Sequence, residues 1–290
     1  MNDGQKERTL TQWGVASDAG GRRSVNEDAA FAQDPVFVVA DGMGGHARGE
    51  MASQTVVDAF RALAGAERPV TAERVVEAVR EAEDNIRRTM LEETVAGWVE
   101  TDGRDPVAGT TAAGAVLTEQ DGELYWLVLN VGDSRVYRFS AGRLQQVTVD
   151  HSLVQEMIDA GTIDPAEARV HPRRNVITRA IGTGPDSEVD FWMLRVQAGE
   201  RLLICTDGLT GELSDDAIAA VLATVGDAGD AASTLVRHAV TGGASDNVTA
   251  VVVDAPDDVG DEDTTARTPG AAEEDEDDVS MTLPGEGSRA

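Results

Sequence analysis

The chain has 290 residues, is 41% hydrophobic and carries a formal net charge of −29 at pH 7. That length can bury a sizeable core in one large domain or two small ones, and that charge argues by repulsion against nucleic acid or an anionic membrane as a partner. No apolar run is long enough to cross a bilayer, residues 1–10 lack an apolar signal core, and the single cysteine, Cys205, can form neither an internal disulfide nor a thiolate zinc site, so the expected compartment is the cytoplasm. In chain order, residues 1–10 read as a polar extension. Val36 to Asp41 is a short apolar run ending in a carboxylate. Val56, Phe60 and Leu63 recur at helical spacing, as do Val75, Val79, Ala82, Ile86 and Met90, so two amphipathic helices are expected to pack on a sheet. Gly109-Thr110-Thr111-Ala112 opens another strand. Leu124 to Val131 and Val136 to Phe139 read as strands joined by Gly132-Asp133-Ser134, and Leu202 to Thr206 as a strand ending in Asp207. Ala231, Leu235, Val236, Ala239 and Val240 mark a third helix, and Val248 to Val253 a last strand behind Asp246-Asn247. From Asp254 to Ala290 there are 13 Asp or Glu against 2 Arg and no apolar periodicity. Such a segment cannot bury enough apolar surface to offset its ordering entropy, so residues 255–290 are expected to be a disordered acidic tail.

Three of these carboxylates share one local grammar. Val39-Ala40-Asp41-Gly42 and Cys205-Thr206-Asp207-Gly208 are each an apolar run, an Asp and a Gly, and Val131-Gly132-Asp133 is close to them. An Asp at a strand end projects from a rigid base, and the glycine after it permits close approach. One such Asp-Gly is ordinarily a turn. Two of them, with Asn26-Glu27-Asp28 and Ser245-Asp246-Asn247, fit turns less well and suggest acids converging on a point, which needs a cation to offset their repulsion. An all-oxygen, carboxylate-rich set suits Mg2+ or Mn2+. The only histidines, His46, His151, His171 and His238, form no HxxxH or HxH pair, which argues against zinc.

Read in order, Arg23-Ser24-Val25-Asn26-Glu27-Asp28, Asp41-Gly42-Met43-Gly44-Gly45-His46, Gly109-Thr110-Thr111-Ala112, Asn130-Val131-Gly132-Asp133-Ser134-Arg135, Asp150-His151-Ser152, Arg179-Ala180-Ile181-Gly182, Thr206-Asp207-Gly208-Leu209 and Ser245-Asp246-Asn247 are eight collinear motifs. Together they resemble the PPM (type 2C) protein phosphatases, in their bacterial stand-alone form. The resemblance implies an α+β fold of four αββα layers: a central β-sandwich of two mainly antiparallel sheets flanked by helices, over residues 11–254, with a flap at about 151–180. It implies hydrolysis of phosphoserine and phosphothreonine in proteins by a water activated between two Mn2+ or Mg2+ ions, with a Ser/Thr protein kinase and its targets as natural partners. By the same resemblance Asp41 bridges the ions, the Gly42 carbonyl binds one, and Asp207 and Asp246 hold the other. Glu27 and Asp28 act mostly through bound waters. Arg23 grips the substrate phosphate, and Asp133 with Asp207 forms a third, weaker site.

Met43 stands where relatives in eukaryotes carry a histidine thought to protonate the leaving group, and a methionine cannot donate that proton. His46 is read as an acid or as a local structural residue. Arg22 reads as a rim charge, and Arg179 as a substrate contact or a structural ion pair. Trp13, Trp98, Trp126 and Trp192 read as packing residues. A catalytically silent binding module is the competing reading, and retention of Asp41, Asp207 and Asp246 argues against it.

Overall fold

The computed structural model describes residues 11–45, 47–96, 108–184 and 187–256, and the backbone of 279–282. Two sheets face each other. The first runs in the order β1 (Gln12–Asp18), β11 (Val248–Asp254), β10 (Arg201–Cys205), β7 (Arg135–Ser140) and β8 (Arg143–Gln146). The second runs β12 (Val279–Thr282), β9 (Asp190–Arg195), β6 (Glu123–Val131), β5 (Ala112–Gln120), β3 (Val36–Met43) and β2 (Asp28–Gln33), with the short β4 (Gly109–Thr110) also on β3. Every strand pair is antiparallel.

Three apolar layers make four layers of structure. Phe37, Val39, Trp126, Val128, Leu202, Ile204 and Val251 fill the space between the sheets. Outside the second sheet, α1 (Ala47–Ala64) and α2 (Ala72–Val95) bury Val56, Phe60, Val79 and Ile86 against Val38, Leu127 and Leu129. Outside the first, α6 (Asp215–Thr224) and α7 (Ala228–Gly242) bury Ile218, Leu235 and Ala239 against Leu203 and Val252. Strand β3 shows the logic: Phe37 and Val39 point into the sandwich, while Val36, Val38 and Ala40 meet the helices. With both faces covered, such a strand reads as an unbroken apolar run rather than an alternation. Each fully buried Val or Phe contributes about 1.5–3 kcal/mol.

The three expected helices and the expected strands are present. The flap region holds two short helices that hydrophobic spacing did not reveal, α3 (Leu153–Asp159) and α4 (Pro165–Val170). Their polar caps set them instead. Ser152 accepts from the Gln155 amide, and Asp164 forms a reciprocal capping box with Glu167 ahead of Pro165. The acidic tail differs from expectation at one place, where Val279–Thr282 pairs with β9 as β12. A strand edge presents a row of unpaired amides and carbonyls, and a short segment without charge can satisfy them. Residues 257–278 and 283–290, the rest of that tail, lie outside the described residues, as do residues 1–10. Trp126 is core, with its indole N–H on Glu200 at 2.9 Å. Trp13 is half-exposed against Phe37, and Trp98 lies outside the described residues. Among the described residues no helix is long and apolar enough to cross a membrane.

Candidate metal centre

The strand register brings the acidic motifs to one end of the sandwich. Asp28 opens β2 and pairs across the ladder with Asp41 on β3, whose neighbour Gly42 pairs with Thr110. Asp133 follows β6 and Asp207 follows β10, heading the single turn α5 (Asp207–Thr210). Asp246 lies just before β11. The two sheets are stitched together here, because Thr206 Oγ1, just past the end of β10, and Thr249 Oγ1 on β11 donate to Asp28 Oδ2 in the second sheet, at 2.9 and 2.7 Å.

Asp41 and Glu27 are fixed through their backbones. The Asp41 amide donates to Thr111 Oγ1 at 3.0 Å, while the Asp41 carbonyl accepts from the Thr111 amide and the Thr110 hydroxyl, both at 2.9 Å. Thr111 is fixed in turn by Ser134, hydroxyl to hydroxyl at 2.7 Å. Asn247 is the other organiser. Its Oδ1 accepts from the Glu27 amide at 2.8 Å, and its Nδ2 donates to the carbonyls of Ala19 and Val25, both at 3.0 Å. Ser53 on α1 donates to the Glu27 carbonyl at 2.6 Å. The glycines after Asp41 and Asp207 are needed for close packing of the chain on itself. A Cβ on Gly42 would lie 2.1 Å from the Gly49 carbonyl oxygen, and one on Gly208 would lie 2.0 Å from that of Asn247.

Electrostatically the acids form one group. Burial, then the charges of Asp28, Asp207, Asp133 and Asp246, hold the Asp41 carboxyl well above the usual range. Burial raises Asp28 to about 7, with Asp207 and Asp246 adding to the rise against the two threonine hydrogen bonds. Burial and Asp207 raise Asp133 to about 8. Burial and Asp246 raise Asp207, which a hydrogen bond with Asp41 partly offsets. Carboxyls this close share protons when no cation lies between them. Asp28 Oδ1 is buried with no hydrogen-bond partner among the described residues. An all-oxygen set, mutually repelling and with a bare buried acceptor, fits a hard divalent cation. Among the described residues no three His, Cys, Asp or Glu side chains stand as a finished metal cage, and metal affinity here depends on pH because the ligating carboxyls must lose their protons.

Arg23 lies at the rim with its side chain 48% exposed, 2.8 Å from Asp246 and 3.6 Å from Glu27. The hydrogen bond to Asp246 is the main reason its guanidinium is held even more firmly protonated than usual. Arg22 is exposed, and His46 lies outside the described residues. Arg179 forms an ion pair with Asp190 at 2.8 Å, and Cys205 is fully buried.

A family model described as protein phosphatase 2C matches residues 21–239. The chain belongs to that family. It is 36% identical over 234 residues to the serine/threonine protein phosphatase PstP of Mycobacterium tuberculosis, which covers 81% of the chain but only 43% of PstP. It is 34% identical over 213 residues to the serine/threonine phosphatase Stp of Listeria monocytogenes, 71% of the chain and 81% of Stp. The crystal structure of the M. tuberculosis PstP superposes with a TM-score of 0.75 at 35% identity, covering 84% of the chain and 98% of that structure. A second structure, the catalytic domain of PstP in complex with 2 manganese ions, gives 0.73 at 33% identity, covering 85% and 99%. The α+β sandwich of this family member is therefore the phosphatase 2C fold. Of the residues that hold its acids in place, Thr249 and Ser53 were not singled out by sequence reasoning, and Thr206 and Asn247 stood in the motifs without a role of their own. Hydroxyls inside or beside a strand read simply as β-compatible residues, and only the pairing of β10 with β11 shows that two of them converge on Asp28.

Proposed function

We propose that this chain is a protein serine/threonine phosphatase that works with two bound divalent cations, Mn2+ or Mg2+, and a third at a weaker site. One observation carries the reading: five aspartates from four distant segments are gathered at one sandwich end, where burial and their neighbours' charges raise the proton affinity of Asp28, Asp41, Asp133 and Asp207. When bound, the ions supply Lewis acidity toward the phosphoryl oxygens and toward the attacking water. Asp41, the Gly42 carbonyl, Asp207 and Asp246 hold the two principal ions. Asp133, whose carboxyl feels Asp207 more than any other charge, completes the third site with it. Glu27 and Asp28 orient waters at the edge of the set, Asp28 with its bare oxygen.

Arg23 presents a planar fork of donors to the phosphate of the substrate, beside the acids because Asp246 pins it there. It binds charge on the equatorial oxygens and so stabilises the transition state of an in-line displacement. Met43 offers no proton, so the leaving serine or threonine oxygen takes one from water. The substrates are phosphorylated proteins, and the natural counterpart is a bacterial Ser/Thr kinase acting on the same targets. We place this exchange in the cytoplasm, in keeping with the lone buried thiol. The test is turnover of p-nitrophenyl phosphate and of a phosphothreonine peptide by purified protein. Activity is expected with millimolar Mn2+ and none after chelation. No turnover with either metal sinks the reading.

A further inference from the structure

The chain as a whole is strongly anionic, yet its flap holds a stretch of the opposite sign. From Ala168 to Pro185 there are four arginines, one histidine and no Asp or Glu. Arg179 is consumed by Asp190. Arg169, Arg173 and Arg174 are exposed and make no ion pair among the described residues. The acids of the neighbouring helices, Glu156 and Asp159 on α3 and Glu167 on α4, do not pair with them. Asp164 and Glu167 instead close their own capping box.

On the C-terminal side of the arginines the backbone is tied first to the entry of the flap and then to the strand beside Asp41. The Leu153 amide donates to the Val176 carbonyl and the Thr178 amide to the His151 carbonyl, both at 2.8 Å. Further on, Ile181 and Thr110 exchange backbone hydrogen bonds at 3.0 and 2.9 Å, and the Thr110 hydroxyl donates to the Asp41 carbonyl. Arg174 is seven residues from Ile181, a contour of at most about 25 Å. An extended peptide with its phosphate at the acids covers that span in about three to seven residues. Exposed Val170 and Val176 flank the same arginines.

We propose that Arg169, Arg173 and Arg174 form a docking strip for clustered negative charge on the substrate chain, carboxylates or a second phosphate, a few residues from the phosphate being removed. This rests on the phosphatase reading above. A basic strip is what lets an anionic substrate approach an anionic enzyme, since the local field overrides net charge within a Debye length of about 10 Å.

The test uses the full chain and its R169Q/R173Q/R174Q variant, with folding checked by thermal melt. Three phosphothreonine peptides share one core and differ in flanks: neutral, glutamate-rich, or bearing a second phosphothreonine. p-Nitrophenyl phosphate and the neutral peptide are expected to react equally with both proteins. The two anionic peptides are expected to lose about tenfold in kcat/KM with the variant at low salt, three modest exposed pairs acting together, and the difference is expected to vanish at high salt. A loss confined to the second phosphate, or to the glutamates, supports the strip and identifies its ligand. Equal rates on all substrates overturn it. So does a faster variant, which would mean that the arginines are occupied by the chain's own acidic residues 273–278. Fluorescence anisotropy of the doubly phosphorylated peptide on chelator-treated protein reads docking without catalysis. Binding about tenfold weaker in the variant supports the strip even if turnover is absent, and binding by neither protein overturns it.

Discussion

Asp28 is a buried acid whose Oδ2 takes two threonine hydroxyls while its Oδ1 takes no donor among the described residues. Proteins seldom keep a bare buried acceptor unless something outside the chain completes it. Asp207 has the same dependence in another form, since it shares a hydrogen bond with the Asp41 carboxyl. Replacing it by Asn keeps the shape and hydrogen-bonding reach but removes the charge that would hold a cation. Asp207→Asn is expected to lower turnover of p-nitrophenyl phosphate more than about a hundredfold, the scale seen when metal or transition-state contacts are cut, with an unchanged circular dichroism spectrum. Retention of full activity would remove Asp207 from the site. At this scale the sequence was informative where a carboxylate ended an apolar run, as at Asp41 and Asp207. It was silent where a polar residue serves a partner far along the chain, as Thr249 serves Asp28 across 221 positions. Nothing local distinguishes that hydroxyl from an ordinary strand threonine.

The flap is held to the sandwich by one side chain at the junction of three elements. His151 Nδ1 accepts from the Gly132 amide at 2.9 Å, which puts the ring proton on Nε2, 3.1 Å from Asp190 Oδ2 at the start of β9. The His151 backbone amide donates to the Gly132 carbonyl at 2.8 Å, and Asn130 braces the same turn by donating to the carbonyls of Gly132 and Val149 at 3.0 and 3.1 Å. The residue after Gly132 is Asp133, so one ring links flap, turn and the acid of the proposed third site. His151→Ala leaves the Gly132 amide buried without its partner, at a cost of about 1–3 kcal/mol, read as a lower melting temperature. It is also expected to lower kcat/KM for phosphopeptides about tenfold. For p-nitrophenyl phosphate, which has no chain to lay against the flap, the expected change is smaller. Equal losses on both substrates would make the residue structural only. The sequence placed a flap here by resemblance, but its helices are short, polar and capped rather than amphipathic. Their existence is written in Ser152, Asp164 and Pro165, not in hydrophobic spacing.

Across the whole molecule, the acids that serve the proposed chemistry work against the stability of the ion-free fold. Asp28 and Asp133 are raised to about 7 and about 8, and Asp41 and Asp207 are raised as well. An acid whose folded pKa lies above its unfolded value near 4 binds protons more tightly when folded. Its contribution is therefore fully present below about pH 4 and lost as pH rises through 7 and 8. Chelated protein is expected to melt at a lower temperature at pH 8 than at pH 5.5. Millimolar Mn2+ should raise the melting temperature more at pH 8 than at pH 5.5, because a cation replaces the shared protons and stabilises only the folded state. The net charge of −29 gives a trend of the same sign through general repulsion, so two controls separate them. Monovalent salt at matched ionic strength screens surface charge but reaches the buried acids poorly, and it should recover only part of the loss. Asp133→Asn removes one raised carboxyl from the interior. In the chelated state it is expected to flatten the pH slope and raise the melting temperature at pH 8, a gain in stability at the expense of the third site. A chelated wild type whose melting temperature is level from pH 5.5 to 8, or an Asp133→Asn variant with the wild-type slope, would mean that the acids are too well solvated to repel one another as the structure implies.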